Sequence, residues 1–215
     1  MRIVVISDTH MNHSYLTMPE GDMLIFAGDM CCYGQSNEAK SFKKWLISLD
    51  YNRIIVVAGN HDWNFYKDRS FGDRLFKDME NVTYLCDSWV EVEGIRIYGS
   101  PWQPEFCEWA FNLPRGEKLK AKWDKIRKDT DILVTHCPPA GILDQVNGMP
   151  VGCSDLYDRV LEVQPRYHIF GHIHLARGIV RRNQVIYINA SVVDDYNAKQ
   201  YEPIVIDYES GKVVV

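Results

Sequence analysis

Five apolar runs in this 215-residue chain end in residues able to hold a metal: Asp8-Thr9-His10, Gly28-Asp29, Gly59-Asn60-His61-Asp62, Thr135-His136 and Gly171-His172-Ile173-His174. Each run is short, continuous and rich in β-branched side chains, the pattern of a buried strand. Five of the seven histidines fall inside these segments. Ligand types this concentrated at strand tips imply a two-metal hydrolytic site, and they constrain the architecture that must assemble it.

The runs at 2–7, 22–27, 53–58, 131–135 and 167–170 are expected strands. Further strands are expected at 81–85, 89–92 and 95–98, with Glu93-Gly94 as a tight hairpin turn. Four more, at 178–182, 184–188, 203–207 and 212–215, have Asn183 and Gly211 at turns. A helix is expected over 36–49, with Ser36 as N-cap and Phe42, Trp45, Leu46 and Leu49 on one face. Two more are expected over 116–128, amphipathic and basic, and 154–163. Residues 65–79 read as short helix and loop. Residues 100–116, with three prolines, read as a long ordered loop. Strands and helices alternate early and strands dominate late. The expected fold is therefore α/β, with two mixed β-sheets packed face to face and helices outside. A length of 215 residues suits a single domain over 1–215.

A net charge of −5 argues against a general grip on a nucleic-acid polymer, which needs a basic surface. It leaves room for a small phosphate ester drawn to bound cations. No apolar stretch approaches the roughly 18–20 residues of a membrane span, so no membrane partner is expected. The run at 3–6 is too short for a secretion leader. Cys31, Cys32, Cys86, Cys107, Cys137 and Cys153 form no C-x-x-C pair, and are expected as reduced thiols of a cytoplasmic protein.

Asp8 and His10 are two apart, as are His172 and His174. In extended chain such residues share a side, with stems roughly 6.6 Å apart. Each pair can then converge on two metals about 3.5–4 Å apart. Asp29 offers a carboxylate able to bridge them, Asn60 a carbonyl oxygen and His136 another nitrogen. Nitrogen and oxygen donors suit Mn, Fe, Zn, Co or Ni, with Mn the first expectation. Two carboxylates leave two divalent ions with about two units of positive charge, which attracts phosphate and lowers the pKa of a bridging water toward ~7. His61 follows Asn60 and points away from it in extended chain. It is placed to meet substrate and protonate or stabilise the leaving oxygen. Asp62 is expected to fix the tautomer of His61.

The ordered set D-x-H, G-D, G-N-H-D, T-H and G-H-x-H resembles the calcineurin-like metallophosphoesterases. The resemblance implies a four-layer fold, a β-sandwich flanked by helices. It implies one metal on Asp8, His10, Asp29 and His174, a second on Asp29, Asn60, His136 and His172, and His61 on the phosphate. A narrower resemblance rests on residues 98–104, 111–116, 135–139 and 151–153. These are similar to the metallophosphoesterase-domain (brain 239-type) subfamily, which acts on cyclic nucleotides and other phosphodiesters. Some of its members carry glycine where this chain has His172 and are weak enzymes, so the histidine implies the fuller activity. Cys137 departs from the glycine common in those relatives.

Candidate substrate contacts are Trp102 or Phe106, stacking on a base, Arg115, on phosphate, and His13. Against these stand packing of the loop aromatics Trp102, Trp109 and Phe111, a solvated Arg115 and an exposed loop His13. His168 is expected in packing, Lys118, Lys120, Lys122, Lys125 and Lys128 on a solvated helix face, and Asp194 and Asp195 as loop acids. The expected activity is that of a phosphodiesterase with two divalent metals, acting on a cyclic nucleotide or another small diester. A nuclease of the same fold is disfavoured by the charge and by the lack of room for a capping domain. A phosphomonoesterase or protein phosphatase is the next alternative, and for folded protein substrates the loop at 100–111 is expected to narrow the mouth. A non-catalytic scaffold is disfavoured by the intact motif set.

Overall fold

The computed structural model describes residues 1–194 and 200–214. Asp195 and Val215, which figure in the expectations above, lie outside the described residues. Strands β1 (Arg2–Ile6), β2 (Met23–Ala27), β3 (Arg53–Val57) and β4 (Val82–Tyr84) pair in parallel. Near the end of the chain, β11 (Ile204–Asp207) and β12 (Lys212–Val214) extend this sheet antiparallel beyond β1, giving the order β12-β11-β1-β2-β3-β4. The second sheet holds β5 (Ser88–Val92), β6 (Ile95–Ser100), β7 (Ile132–Thr135), β8 (Tyr167–Phe170), β9 (Gly178–Arg182) and β10 (Val185–Asn189), in the order β9-β10-β8-β7-β6-β5. Its four inner strands are parallel and its two edges antiparallel.

Alternation along each strand sorts side chains into separate layers. Ile3, Val5, Ile25 and Ile55 meet Ile97, Ile132, Ile169 and Ile188 between the sheets. Their neighbours Val4, Ile6, Leu24, Phe26 and Val56 face outward into a second apolar layer. Helix α1 (Ser36–Ile47) covers that face, with Phe42 4.6 Å from Phe26 between ring centroids. On the other side, α4 (Glu117–Trp123) and α5 (Ser154–Val163) supply Leu119, Trp123, Leu156 and Val160 to the layer holding Tyr98, Leu133 and Tyr187. Burial on both faces explains why the strands read as continuous apolar runs. The four layers match the expected class.

Two local expectations are corrected, and the short helix and loop expected over 65–79 are found. Helix α1 is capped by Gln35, whose side chain accepts the Glu38 amide while Glu38 reaches back to the Gln35 amide, so Ser36 lies inside the helix. The basic helix stops at Trp123 because the next bonds, Lys125 N to Lys122 O and Ile126 N to Trp123 O, tighten to i→i−3 and turn Ile126 into the core. Residues 65–79 carry parts of two short helices, α2 (Trp63–Lys67) and α3 (Phe71–Phe76). The hairpin turn is as expected, with φ of 51° at Glu93 and 80° at Gly94.

Two short ladders order the loops beside the strand tips. Gln103–Pro104 pairs with Asn112–Leu113 inside the 100–116 loop. Gln145–Val146 pairs with Met149–Pro150 in a small hairpin, closed by Asn147 and Gly148 at φ of 50° and 79°.

Phe42 is fully buried between α1 and the first sheet. Phe42→Ala should cost about 3–5 kcal/mol of stability, read as a lowered urea midpoint at unchanged m-value.

Candidate metal centre

Every expected ligand lies where a parallel strand stops. Asp8 and His10 follow β1, Asp29 follows β2, Asn60 and His61 follow β3, His136 follows β7, and His172 and His174 follow β8. The two sheets are stitched together at this edge: Ser7 N donates to Ala190 O at 2.9 Å and Val192 N to Ser7 O at 3.0 Å. The backbone then turns left-handed, with φ of 56° at Asp8, 41° at His10, 61° at Asp29 and 68° at His172. Such a conformation costs a non-glycine residue about 1–3 kcal/mol. It also overturns the expectation of extended i, i+2 pairs. His174 is sent toward Asp8 and His10, whereas His172 is sent toward His136.

The donor atoms of Asp8, His10 and His174 lie within 4.8 Å of one another, as do those of Asp8, Asp29 and His136. Asp29 Oδ2 sits between the two groups, 3.8 Å from His10 Nε2 and 3.3 Å from His136 Nε2. Asn60 Oδ1 is 2.9 Å from His136 Nε2. The His172 ring lies beside His136, 5.1 Å between centroids. His61 joins His10 and Asp29 in a third such group.

The imidazoles are oriented from behind. Nδ1 of His10 faces Cys31 O at 3.2 Å, that of His61 faces Cys32 O at 2.6 Å, that of His136 faces Ala27 O at 2.9 Å, and that of His174 faces Asp194 O at 3.3 Å. A carbonyl only accepts, so each Nδ1 carries the hydrogen and each Nε2 is left to face the centre. His10 Nε2 and His174 Nε2 consequently meet at 3.2 Å with a lone pair on each. Two facing lone pairs beside two buried carboxylates form a donor set that fits a divalent cation.

Titration divides the imidazoles of the site. Burial pushes His10 down to about 4 and, with His136 nearby, His172 down to about 3, so both are neutral donors. Burial also works to lower His136, but the Asp29 carboxylate outweighs it and carries the group up to about 9. Burial raises Asp8 and Asp29, yet His174 beside the first and His136 beside the second hold both carboxyls below the usual range.

The glycines of G-D and G-H are required by contact. A Cβ on Gly28 would lie 2.3 Å from His136 Nδ1, and one on Gly171 would lie 2.0 Å from Asp8 Oδ2.

Asp62 takes a different part from the one expected. Its carboxylate accepts the amides of Gly59 at 2.8 Å and of Asp29 and Cys31 at 3.0 Å, binding the β2 and β3 tips together. The His61 ring is oriented by Cys32 O instead. Burial and Asp29 raise Asp62 to about 7, against the pull of the amides. Sequence reasoning missed three supports. Ser191 Oγ donates to Asp8 Oδ2 at 2.7 Å, Asn189 Nδ2 ties down Ile173 O at 2.8 Å, and Trp109 lies over His61 at 4.0 Å between centroids. The N-A-S run after β10 and an aromatic in the 100–116 loop were the only available signals.

Among the candidate substrate contacts, Trp102 and His13 are corrected. Trp102 is buried, donates Nε1–H to Asp87 at 3.0 Å and lies under Lys122, so no ring face is open to a base. His13 is buried against Phe42 and Trp45 rather than exposed or facing substrate, and burial lowers it to about 4. His168 packs as expected, with Nε2 2.8 Å from Thr135 Oγ1. Phe106 is exposed beside His172 and, with Arg115, lines a cavity of about 420 Å³. Arg115 donates to Val151 O at 2.7 Å and Gly152 O at 2.8 Å, holding the cavity wall. Cys137 lines the same cavity, and its thiol, raised by burial, is no thiolate donor.

A sequence profile of the calcineurin-like phosphoesterases matches residues 1–176. The chain belongs to the calcineurin-like phosphoesterase family. It is 44% identical to human metallophosphoesterase domain-containing protein 1, over 96% of this chain and 70% of that protein. It is 37% identical to a UPF0046 protein of Caenorhabditis elegans, over 95% of this chain and 74% of that one. The fold is similar to that of TT1561 of Thermus thermophilus (TM-score 0.69, 14% identity, 99% of this chain and 96% of the other). It is also similar to that of a phosphopantetheinyl hydrolase of Mycobacterium tuberculosis (TM-score 0.61, 16% identity, 91% and 90%). As a calcineurin-like phosphoesterase the chain is a phosphoric ester hydrolase dependent on divalent metal, and its ligand clusters agree.

Gly171→Ala would drive a methyl group into Asp8 Oδ2, 2.0 Å from the ideal Cβ. Metal affinity should fall at least about 10-fold, the scale of a lost supporting contact, when Mn²⁺ is titrated by calorimetry.

Proposed function

We propose that this calcineurin-like phosphoesterase is a phosphodiesterase with two divalent metals, acting on small diesters, cyclic nucleotides among them. One observation carries the reading: four imidazoles, each with Nδ1–H tied to a backbone carbonyl, turn Nε2 toward the Asp8 and Asp29 carboxylates. Asp8, His10, Asp29 and His174 would hold one ion, and Asp29, Asn60, His136 and His172 the other. Mn²⁺ is our first choice, since oxygen and neutral nitrogen donors without thiolate suit it. Bound there, the ions supply Lewis acidity toward the phosphate oxygens and an activated water.

The protein's own groups do the rest. Asn60 and the histidines would hold the ions that meet the phosphate. His61 keeps Nδ1–H on Cys32 O and turns Nε2 inward, with Trp109 fixing the ring plane. From there it serves the leaving oxygen, as proton donor or electrostatic partner. The cavity of about 420 Å³ beside His172 suits a small substrate better than a folded protein or a nucleic-acid polymer. A solved archaeal phosphodiesterase shares the fold (TM-score 0.54, 16% identity, 100% of this chain and 98% of the other), which supports diester chemistry on this scaffold. We place the protein in the cytoplasm, a reading supported by its six free cysteines.

EDTA should abolish hydrolysis of bis-p-nitrophenyl phosphate, and Mn²⁺ should restore it. Turnover that persists in chelator would end the two-metal reading. His61→Ala should lower kcat by about 10²–10⁴-fold, the scale of general acid–base catalysis, while elemental analysis still finds two metals per chain. Loss of a metal would instead make His61 a ligand, a role its grouping with His10 and Asp29 also permits.

A further inference from the structure

The cavity beside His172 has a composition that the phosphodiesterase reading does not require. Its lining includes Phe106, Val146, Val151, Ile173 and Leu175, together with His172 and Cys137, the residue after His136. The wall is held in place from behind. Arg115 spends Nη1 and Nη2 on the carbonyls of Gly152 and Val151, and the buried Asp144 carboxylate accepts the amides of Gly141 and Gly152 at 2.9 and 3.0 Å. The space is therefore preformed, and its principal cation is committed to the backbone.

The apolar lining continues onto the surface. Among the described residues ten large hydrophobic side chains are exposed, and four of them, Phe106, Val146, Met149 and Leu175, belong to the segments that frame this cavity. Val146 and Met149 face each other across the small hairpin. A contiguous exposed apolar patch marks a binding surface, and the cavity it borders shares His172 with the candidate metal centre. An ester arm extending from a phosphorus held at the metals would run along it.

We infer that the cavity is a subsite for an alkyl or acyl arm, so that the enzyme takes open-chain phosphodiesters in which one ester group is aliphatic. The inference rests on the phosphodiesterase reading and narrows its substrate class. Glu105, Gln145 and Asn147 also line the cavity, but the walls favour an aliphatic arm over a nucleoside because most of the lining is apolar, Phe106 is the one aromatic ring in it, and its Arg115 cation is already engaged by carbonyls.

The test is a series of p-nitrophenyl alkyl phosphates, with methyl, butyl, hexyl and octyl arms and a thymidine arm for comparison, assayed with the Mn²⁺-loaded protein. The leaving group is constant, so kcat/KM reports the arm. It should rise about fourfold per methylene while the cavity fills, from the free energy of burying a CH₂, and the thymidine ester should fall below the hexyl ester. Leu175→Ser and Val146→Ser, at exposed positions that the core does not use, should each flatten the rise. A flat series in the wild type, or a thymidine ester above every alkyl ester, would overturn the subsite. Calorimetric titration of methyl- and octylphosphonate reads the same preference without turnover. If no diester is hydrolysed but octylphosphonate binds at least 10-fold tighter, the reaction is wrong and the subsite stands. Equal binding of the two phosphonates removes the subsite whatever the assay shows.

Discussion

Three carboxylates, Asp8, Asp29 and Asp62, are buried within one small volume at the edge of two sheets. Like charges removed from water are costly, and a protein that keeps them must supply compensation nearby. The three are compensated differently, and the difference assigns their parts. Asp62 is enclosed by amides from the β2 and β3 tips, so it acts on loop geometry. Asp8 takes the His172 amide and the Ser191 hydroxyl, and Asp29 takes the His61 amide. Each of the latter two keeps an oxygen close to an imidazole Nε2, and Asp29 draws His136 up to about 9. The arrangement calls for positive charge at that point, and divalent cations would supply it.

The fold makes this crowding possible at low cost elsewhere. Parallel strands finish at a common edge, and two parallel ladders packed face to face bring two such edges together. The bridge between Ser7 and Ser191 joins the edges directly. The candidate ligands thus stand on the ends of buried strands, whereas the 100–116 loop and the 145–150 hairpin supply much of the lining of the cavity beside His172. Rigid scaffold and variable loop are separated in the way that precise ligation and adaptable recognition require.

What was legible in the sequence follows from that separation. β-branched runs buried on both faces gave the inner strands to within a residue or two, and the five strand-tip motifs gave the residues that gather at the candidate centre, because both are local patterns. The directions of the ligands were not legible. Spacing of two implies a shared side only in extended chain, and Asp8, His10 and His172 are left-handed. Long-range partners were equally hidden. Trp102 and His13 could have been open to solvent, and only packing against Lys122 and α1 closes them off. Asp62 sits next to His61 in sequence, yet its oxygens turn to amides of the neighbouring loop. The proximity of Trp109 to His61 links residues 48 positions apart by the sequence numbering and has no local pattern at all.

The 100–116 loop joins two properties that the hairpin keeps apart. Its Trp109 lies on His61, and the Ala110 amide donates to Asn60 O at 3.1 Å, so the loop is fastened to the residues that would handle the leaving group. Its Phe106 stands at the cavity beside His172. Buried Trp102, between Asp87 and Lys122, anchors the loop's start. Under the proposed roles, a change within 105–110 would move His61 and the cavity wall together, coupling rate to selectivity. The hairpin at 145–150 lines the wall and packs against the His174–Ala176 turn.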